Sequence, residues 1–576
     1  MDITDTSFSP MQRFWRLMVP DKKEIRNVYI YSIFYGLVYL SLPLGIQAIV
    51  NIIQGGQVNT AWIVLVSIVV LGVAVSGILQ IFQLRITENL QQKIFSRAAF
   101  ELAFRVPRIK MEVLYRHYAP ELMNRFFDTI SVQKGLSKIL IDFSIASLQV
   151  LFGLILLSFY HPFFIMFGVL MIFLVYVIFR FTAFRGLQTS LVESKHKYKV
   201  AHWLEELART ANTFRLAGHT SLPMERTNDH VGDYLQARES HFKILIRQYS
   251  LVVVFKVIVA AGLLAVGGFL VMDQKMNIGQ FVAAEIIILM VMSSVEKIFL
   301  SLETIYDVLT ALEKIGQVTD MALENSEGFD LSNQKSSGGL EVNLEDVSFT
   351  YPGHTEPALS DINLILPPGS CCIITGENGS GKSTLLNVIA GLYDIEEGSL
   401  SYDALPLGNL KISTLRRVIG ECLAQELLFE GTLLENIHTG RENATFEKVQ
   451  WAVENVGLKE FIRGLPKGYN TMIDPQGKKL PRSIIQKILL ARSIAGNPRL
   501  LLLEAVFENL DPKECQKIID FLFSPEHSWT IIAVSINPYL AQKSDKILAL
   551  KEGRIIAEGD YKTMKDIANL QSDTNA

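Results

Sequence analysis

At 576 residues, the chain is too long for one ordinary domain. Hydrophobic residues make up 49% of it and charged residues 19%, below the roughly 25% that soluble proteins carry. The net charge of −4 gives no indication of a polyanion partner, so nucleic acid is not an expected ligand. Four cysteines without metal-ligand spacing are expected to be reduced packing residues rather than a disulfide framework.

The first predicted element is a short amphipathic helix, Pro10–Val19. In it Phe14 and Trp15 stand beside Arg13 and Arg16. This pattern predicts a helix lying in the inner membrane interface, with its basic residues toward lipid headgroups. A plain cytosolic helix is the alternative.

Six apolar segments follow, each near the ~20 residues that a helix needs to cross a bilayer. These segments are Val28–Ile53, Ala61–Leu84, Ile139–Tyr160, Pro162–Phe184, Leu251–Met272 and Ile278–Leu300. The first contains Pro43 and the last contains Glu285. The alternative, a soluble protein, would require six such helices buried in its first half. The pattern therefore predicts a membrane protein with six spans.

The loops between these spans differ sharply in charge. Arg85–Lys138 carries ten Lys or Arg residues and Arg180–Arg247 carries eleven. The opposite loops, Asn51–Thr60 and the turn near His161, carry none, and the third has only Lys275. Because Lys and Arg accumulate on the cytoplasmic side, both termini are predicted to be cytoplasmic.

The two basic loops also have helical periodicity. In Ile86–Arg108 and Val192–Leu216, apolar residues recur every three or four positions. Both are predicted to be helices that continue from the spans into the cytosol. Ionisable residues inside spans are functional candidates, and Glu285, Lys256 and Asp142 are the ones to test. Placement near an interface, or pairing across helices, is the alternative for these three.

The composition turns polar over 325–339, which predicts a linker between a membrane domain, residues 1–324, and a second domain, residues 340–576. In the second domain strand-like and helical segments alternate, as in an α/β fold. A strand-like run, Ser370–Thr375, leads into a glycine-rich loop and a helix, Thr384–Ala390.

This strand–loop–helix context identifies a phosphate-binding loop. Its glycines let successive N–H groups face a phosphate at the positive end of a helix. The predicted ATP-binding residues of the loop are Gly376, Glu377, Asn378, Gly379, Ser380, Gly381, Lys382, Ser383 and Thr384. Lys382 is expected to reach the β- and γ-phosphates, and Ser383 to hold Mg²⁺. ATP and Mg²⁺ are therefore the predicted ligands.

With this loop and the six spans, the chain resembles the ATP-binding cassette exporters over essentially its whole length. Further matching segments are Val347–Gly353, Gly391–Ser399, Gly431–Ile437, Leu465–Tyr469 and Glu552–Ile555. The resemblance implies that Tyr351 stacks on adenine. It also implies that two halves pair around ATP, and that short cytoplasmic helices near Tyr118–Arg125 and Trp203–Leu216 dock on the nucleotide-binding domains.

The family's signature, Leu-Ser-Gly-Gly-Gln, falls on an altered segment. It starts at Leu480 and continues with Pro481, Arg482, Ser483 and Ile484. The role of this motif requires a serine hydroxyl and glycine N–H groups beside the partner's γ-phosphate. Proline lacks an N–H, and the arginine and isoleucine are bulky. The segment is interpreted as a degenerate signature.

The catalytic positions implied by the resemblance also differ. Glu504 and Ala505 stand where the family has Asp and Glu, with Asp511 at the downstream D-loop position. Ile536 replaces the switch histidine. The loop glutamine, Gln425, sits one residue late. Mg²⁺ ligands would then be Ser383, Gln425 and Glu504, and no catalytic residue can be assigned.

The sequence is consistent with two candidate functions. The first is an exporter half-transporter of the bacterial inner membrane that pairs with a second half, as homodimer or heterodimer. It binds ATP and exports an unidentified substrate, with hydrolysis weak or absent. The second is a pseudo-ATPase, a nucleotide-gated scaffold of an export complex. The lipid bilayer is an expected partner, and a periplasmic adaptor and an outer-membrane channel are further candidates.

Overall fold

The computed structural model describes residues 8–55, 60–218, 220–331, 338–424 and 426–565. The chain divides into two compact units. The first consists of Met1–Pro107 and Tyr118–Met321, and the second of Arg108–His117 and Ala322–Ala576. A short segment of the N-terminal half therefore belongs to the second unit.

The first unit is helical throughout its described elements. Its helices are α1 (Pro10–Met18), α2 (Lys22–Tyr39), α3 (Ser41–Gln54), α4 (Thr60–Arg105), α6 (Ala119–Met123), α7 (Asp128–Lys138), α8 (Ser144–Ser158), α9 (Pro162–Arg209), α10 (Ala211–Leu216), α11 (Leu222–Gly262), α12 (Gly268–Met272) and α13 (Ile278–Thr319), with α5 (Met111–Leu114) falling in the second unit. Single π-helical turns join α7 to α8 and α11 to α12.

The predicted six spans are confirmed. Six helical stretches among the described residues are long and apolar enough to cross a membrane. They are Pro10–Gln54, Thr60–Arg108, Ala119–Ser158, Pro162–Arg209, Leu222–Met272 and Ile278–Thr319. The first span is divided at Leu40, between α2 and α3, because Pro43 lacks the N–H that a continuous helix would need there.

Four helices run far beyond the apolar segments that predicted them. α4 has 46 residues, α9 has 48, α11 has 41 and α13 has 42. At 1.5 Å per residue they are about 62–72 Å long, twice the thickness of the hydrocarbon layer. The predicted extension Ile86–Arg108 is helical, with a 3₁₀ turn from Val106. The predicted helix Val192–Leu216 breaks at Thr210, between α9 and α10.

The core of the first unit is built around α13. Its Ile287, Val291 and Val295 are buried, in one cluster with Phe164 of α9 and Phe255 of α11. These residues recur at helical spacing on one face of α13, so the helix is held from several sides by the other spans.

The position of Arg13 corrects the prediction for the first helix. The α1 helix forms as expected, but the Arg13 side chain is only 9% exposed and pairs with Glu313 and with Asp320 at 2.6 Å. Two carboxylates at the end of α13 hold the guanidinium more strongly than solvated headgroups would, because these charges meet where little water enters. Arg16 remains exposed and lies over the Phe8 ring.

The ionisable residues of the spans lie in different settings. Asp142 is exposed in the π-helical turn before α8, whereas Glu285 is half-buried in α13. Lys256 of α11 pairs with Glu296 of α13. Glu296 was not among the residues that the sequence had singled out.

The second unit is an α/β domain, as predicted. Its elements are β1 (Val342–Phe349), β2 (Leu359–Leu366), β3 (Cys371–Gly376), α14 (Lys382–Ile389), β4 (Glu397–Tyr402), β5 (Leu405–Pro406), α15 (Ile412–Val418), β6 (Ile419–Cys422), β7 (Gly431–Thr432), α16 (Leu433–His438), α17 (Phe446–Asn455), α18 (Lys459–Arg463), β8 (Met472–Ile473), α19 (Arg482–Ala495), β9 (Leu500–Glu504), α20 (Pro512–Leu522), β10 (Thr530–Val534), α21 (Pro538–Ala541), β11 (Lys546–Lys551), β12 (Arg554–Gly559) and α22 (Tyr561–Met564).

A six-stranded sheet in the order β12-β11-β3-β10-β9-β6 positions the site. All neighbours are parallel except the β11–β12 pair. The central strands are nearly continuous apolar runs, as expected of strands covered on both faces. The carboxyl ends of β3, β9 and β10 therefore meet at one edge of the sheet, where open α/β sheets bind their ligands.

The remaining strands and the predicted linker complete this unit. β2-β1-β4-β5 form an antiparallel sheet and β7 pairs with β8. Of the linker 325–339, residues 332–337 lie outside the described residues. Phe329 donates its N–H to Asn409, and Leu331 is buried in the core of this unit. The four cysteines are free, as predicted.

Candidate functional site

A cavity of about 700 Å³ opens at the edge of the sheet where β3, β9 and β10 end. Its lining includes Asn378–Thr384 of the phosphate loop and Tyr351. The loop follows β3 directly, and α14 begins at Lys382. No side chain among the described residues caps the N-terminus of this helix. The first N–H groups of that helix therefore remain available to a ligand.

Two glycines give the loop its shape. Gly381 has φ +100°, and Gly376 has φ +147°. A Cβ atom at Gly376 would lie 2.2 Å from the Leu550 carbonyl oxygen, and one at Gly381 would lie 2.9 Å from that of Ala358. Side chains at these positions would displace β11 or the start of β2, so the tight loop requires glycine.

The ammonium group of Lys382 is held inside the loop. Its Nζ donates to the carbonyl oxygens of Gly376 at 2.8 Å and Glu377 at 2.7 Å. Burial lowers the pKa of Lys382, and nearby Glu504 opposes that shift. The arrangement leaves a cation at the centre of the loop that phosphate oxygens can attract away from the neutral carbonyls.

The predicted metal ligands are only partly within the described residues. The Ser383 hydroxyl donates directly to Oε1 of Glu504, and the Ala424 N–H donates to Oε2 at 3.4 Å. Glu504 thus reaches across the cavity from the end of β9 to the start of α14. The third predicted ligand, Gln425, lies outside the described residues.

Tyr351, the predicted adenine-stacking residue, lies at one end of the cavity. Its hydroxyl and that of Thr384 are 3.0 Å apart. Its ring stacks on Tyr115, with centroids 4.9 Å apart and planes at 22°. Tyr115 belongs to the Arg108–His117 segment, which ends immediately before the predicted docking segment Tyr118–Arg125. Sequence reasoning missed this residue, because only the fold brings it to the site.

Apolar side chains stand directly after β9 and beyond β10, where the resemblance to the family implies catalytic groups. Ala505 has φ +55°, and its carbonyl accepts from Gln486 Nε2 at 2.6 Å. Ile536, just beyond β10, is 73% exposed. Neither side chain can accept a proton. The carboxylates of Glu356, Glu508 and Glu552 also line the cavity and were not predicted.

The segment that the sequence analysis interpreted as a degenerate signature forms the start of α19. Pro481 stands at its N-cap without a side-chain hydrogen bond, and exposed Arg482 is its first residue. Ile484 packs against the core of the second unit. Ser483 lies inside the helix rather than at its cap. Asp511, at the D-loop position, caps α20 by accepting from the N–H of Lys513 at 3.0 Å.

The residues of the cavity fit a nucleoside triphosphate with Mg²⁺. The uncapped helix N-terminus and Lys382 suit phosphates, and Tyr351 offers an aromatic surface for a base. Across the described ranges, no cluster of three or more His, Cys, Asp or Glu residues is placed to hold a metal ion. A Mg²⁺ ion would thus rely on Ser383, Glu504 and phosphate oxygens, as this ion commonly does.

Two family models match the chain in succession. The ABC transporter transmembrane region matches residues 26–295, and the ABC transporter model matches residues 359–506. A solved structure described as a bacterial Atm1-family ABC exporter with ATP bound superposes with a TM-score of 0.84 at 18% identity. That similarity covers 96% of this chain and 98% of the other.

Curated relatives are similar over part of their length. The transport/processing ATP-binding protein ComA of Streptococcus pneumoniae is 28% identical over 330 residues, which cover 57% of this chain and 46% of the relative. The ATP-dependent lipid A-core flippase of Pseudoalteromonas atlantica is 29% identical over 334 residues, covering 57% and 56%. The matches thus span about half the length of these relatives.

Both family regions therefore occur on one polypeptide in the order found in exporters, six membrane-spanning helices and then a nucleotide-binding domain. The chain belongs to the ATP-binding cassette transporters, as a half-transporter of the exporter type.

Proposed function

We propose that this chain is one half of a dimeric exporter that binds ATP with Mg²⁺ and hydrolyses it slowly or not at all. One observation carries the proposal. A phosphate loop with a suitable cation lines the same cavity as Ala505, and exposed Ile536 follows β10; both stand where the resemblance implies groups able to handle a proton. Binding and hydrolysis depend on opposite sides of this cavity.

The residues of the cavity would divide the work of binding. Lys382 would leave the carbonyls of Gly376 and Glu377 for phosphate oxygens, and the first N–H groups of α14 would hold the same phosphates. Ser383 and Glu504 would part to hold Mg²⁺, which neutralises phosphate charge when bound. Tyr351 would stack on the base.

Glu508 is the alternative candidate for a general base, since residue 505 is an alanine. Glu508 lines the cavity, but it lies four positions beyond the end of β9 and so does not stand at the strand end as residue 505 does. Loss of a general base typically reduces a rate by about 10²–10⁴. Typical enzymes turn over at about 10 s⁻¹, so we expect turnover below about 0.1 s⁻¹.

The test compares binding and turnover in one sample. The full chain would be purified, placed in lipid nanodiscs and titrated with a fluorescent ATP analogue, and phosphate release would be followed in parallel. We expect saturable binding with turnover no higher than that of a Lys382→Ala variant. Ordinary transporter turnover, abolished by Lys382→Ala, would contradict the proposal.

We propose the bacterial inner membrane as its location, with both termini in the cytoplasm. The supporting observation is charge: the loops containing Arg85–Lys138 and Arg180–Arg247 carry ten and eleven basic residues, whereas the opposite loops carry almost none. A C-terminal reporter that folds only in the cytosol should be active. If that reporter is inactive, and a reporter that is active only outside the cytosol works at the same terminus, the orientation is the reverse of the one proposed.

The substrate and partner belong to the proposal as well. The relatives are named as a transport/processing ATP-binding protein and as a lipid A-core flippase, and the second name favours a lipid as the exported class. A second half is needed because the family's nucleotide sites are shared between two halves. Co-purification from native membranes would distinguish a homodimer from a heterodimer, and would reveal an adaptor or outer-membrane channel.

The nucleotide-gated scaffold is the second candidate function. The same strand-end residues favour it, because a site that binds without hydrolysing can hold a complex in one state. Transport by reconstituted vesicles separates the two functions. ATP-dependent movement of substrate supports the exporter, and ATP-dependent assembly of a complex without movement supports the scaffold.

A further inference from the structure

The start of α19 and the residues before it form a cationic surface, which we call the cationic tip and which consists of residues 478–482. Its three charged side chains, Lys478, Lys479 and Arg482, are exposed. Within the described part of the chain, no residue of the tip lines the nucleotide cavity. We propose that the tip of one chain binds the nucleotide held in the cavity of a second copy of the same chain, with Arg482 as the residue that contacts phosphate oxygens.

The backbone of the tip is held in place by its own chain. The N–H of Leu480 donates to the Gly477 carbonyl oxygen at 2.8 Å, and the N–H of Ile484 donates to the Pro481 carbonyl oxygen at 3.0 Å. Leu480 and Ile484 both pack against the core of the second unit. Arg482 stands between these two anchored residues and remains on the surface. Because the backbone is already ordered, a ligand would have to immobilise little more than the arginine side chain.

Two cations of the tip are uncommitted. Lys479 pairs with Asp474 at 3.1 Å. Lys478 and Arg482 form neither an ion pair nor a side-chain hydrogen bond with any residue that the structure describes. A guanidinium group offers five N–H donors in a planar fork that matches the oxygens of a phosphate. The tip therefore presents two free positive charges, one of them well suited to a polyphosphate.

The nucleotide cavity has the opposite imbalance of charge. Its lining among the described residues carries four carboxylates, those of Glu356, Glu504, Glu508 and Glu552, and one ammonium group, that of Lys382. Glu356, Glu508 and Glu552 form no ion pair across the described ranges. ATP with one Mg²⁺ is still an anion, so its binding adds to this excess of negative charge. The cavity of a single chain therefore offers its nucleotide too few positive charges.

Two identical copies can correct both imbalances at once. If the tip of one copy enters the cavity of the other, a two-fold axis also places the second tip in the first cavity, because an interface of this symmetry repeats each contact. Each cavity then receives Arg482 of the partner subunit beside the phosphates that Lys382 holds. An unrelated protein would have to supply both a cationic tip and an acidic cavity. The charges of this chain thus favour a second copy as the partner.

The contact would serve binding rather than hydrolysis. A guanidinium group donates hydrogen bonds to phosphate oxygens but cannot accept a proton from water. Arg482 would hold the nucleotide between two copies without replacing the base that is missing at Ala505. This inference rests on the proposed function, because it names the partner that completes the same nucleotide site.

The test places the cavity and the tip on different copies. Full-length chains with two different affinity tags would be expressed together, and pairs that carry both tags would be purified and placed in lipid nanodiscs. In the mixed pair, one copy carries Lys382→Ala, which impairs its cavity but leaves its tip, and the other carries Arg482→Glu, which leaves its cavity intact. Titration with a fluorescent ATP analogue measures the affinity and the number of sites in each pair.

The expected results separate action between copies from action within one. Pairs with Arg482→Glu in both copies should bind ATP at least about tenfold more weakly than unaltered pairs, the factor expected for one charge-assisted hydrogen bond. The mixed pair should regain one site of unaltered affinity, because the tip of the Lys382→Ala copy enters the intact cavity. Arg463→Glu in both copies is the matched control, since Arg463 is exposed on α18 and pairs with Glu460. That control should bind ATP like the unaltered pair.

Four results would overturn the inference. Failure to recover pairs of the unaltered chain with both tags would mean that the partner is not a second copy. Unchanged affinity in the Arg482→Glu pair would mean that Arg482 does not contact the nucleotide. Weak sites alone in the mixed pair would mean that Arg482 does not act between copies. Equal losses from Arg482→Glu and Arg463→Glu would mean that general surface charge governs the affinity.

Failure of this inference and failure of the proposed function give different results. If unaltered pairs bind ATP and Arg482→Glu leaves that affinity unchanged, the role of the tip is refuted and the proposed ATP-binding function stands. If unaltered pairs bind no ATP, both are refuted.

Discussion

On the β3–α14 side of the nucleotide cavity, Lys382, two obligatory glycines and an uncapped helix N-terminus are all in place. On the strand side, Ala505 follows β9 directly and Ile536 lies two positions beyond the end of β10. The first side stabilises the negative charge of the phosphates, which is present throughout binding. The second side is where a group would accept the proton that moves only during hydrolysis. The difference teaches that the groups for nucleotide affinity and the groups proposed for hydrolysis lie on separate elements and can be altered separately.

The largest expected effect tests the binding side. Lys382→Ala removes the cation of the phosphate loop and should weaken ATP binding about a hundredfold, since charged hydrogen bonds contribute about 1.5–3 kcal/mol each. Titration with a fluorescent ATP analogue measures it. Lys467→Ala, an exposed lysine of the same unit, is the control and should bind normally. Equal binding by both variants would remove the basis of the comparison.

The next effect tests the hydrolytic side. Ala505→Glu combined with Ile536→His should raise turnover about tenfold, below the full 10²–10⁴ of a general base because the signature stays altered. Phosphate release in nanodiscs measures it, and ATP affinity should change little. The same double variant carrying Lys382→Ala is the control. A gain in affinity without a gain in turnover would show that the two sides are not separate.

A smaller effect concerns Glu504, which joins the two sides through Ser383. Without metal, Glu504→Gln should strengthen ATP binding about threefold, because a carboxylate no longer competes for Ser383 or repels phosphates. With Mg²⁺ the same variant should bind about threefold more weakly, because a metal ligand has lost its charge. Titrations in EDTA and in Mg²⁺ show this reversal.

The control for that reversal is Glu508→Gln, which removes another carboxylate lining the cavity but leaves Ser383 and Glu504 in contact. It should strengthen metal-free binding slightly without a loss in Mg²⁺. If both variants respond alike, general charge rather than the Ser383–Glu504 contact governs the metal response.

The smallest effect concerns the adenine end. Tyr115→Ala should weaken ATP binding about threefold, because an aromatic pair contributes about 0.5–1.5 kcal/mol and the Tyr351 ring loses the partner that holds it. Tyr115→Phe keeps the ring and should bind like the unaltered protein. Tighter binding by Tyr115→Ala would mean instead that Tyr115 competes with the base.

The features that the sequence predicted well are those encoded by neighbouring residues. The phosphate loop needs nine consecutive positions from Gly376 to Thr384, and the six spans need only continuous hydropathy. Both can be predicted without knowledge of the tertiary fold, because backbone geometry in the loop and transfer of a segment into a bilayer depend on neighbouring residues.

The features that it missed join distant positions. Tyr115 reaches Tyr351 and His354, the latter 239 positions away, and Arg13 reaches Glu313 and Asp320, 300 and 307 positions away. The amphipathic pattern around Arg13 correctly predicted a helix but not which charges it would meet. Glu504 and Ser383 were each predicted as metal ligands, whereas their direct contact depends on the relative placement of β9 and α14.

The Arg13 contacts have a practical consequence for handling the protein. A shortened polypeptide that lacks the first helix would leave Glu313 and Asp320 side by side without their shared cation, at the end of α13. Affinity tags and fluorescent labels therefore belong at the carboxyl terminus, and preparations trimmed by proteases at the amino terminus should be discarded before any measurement of melting temperature.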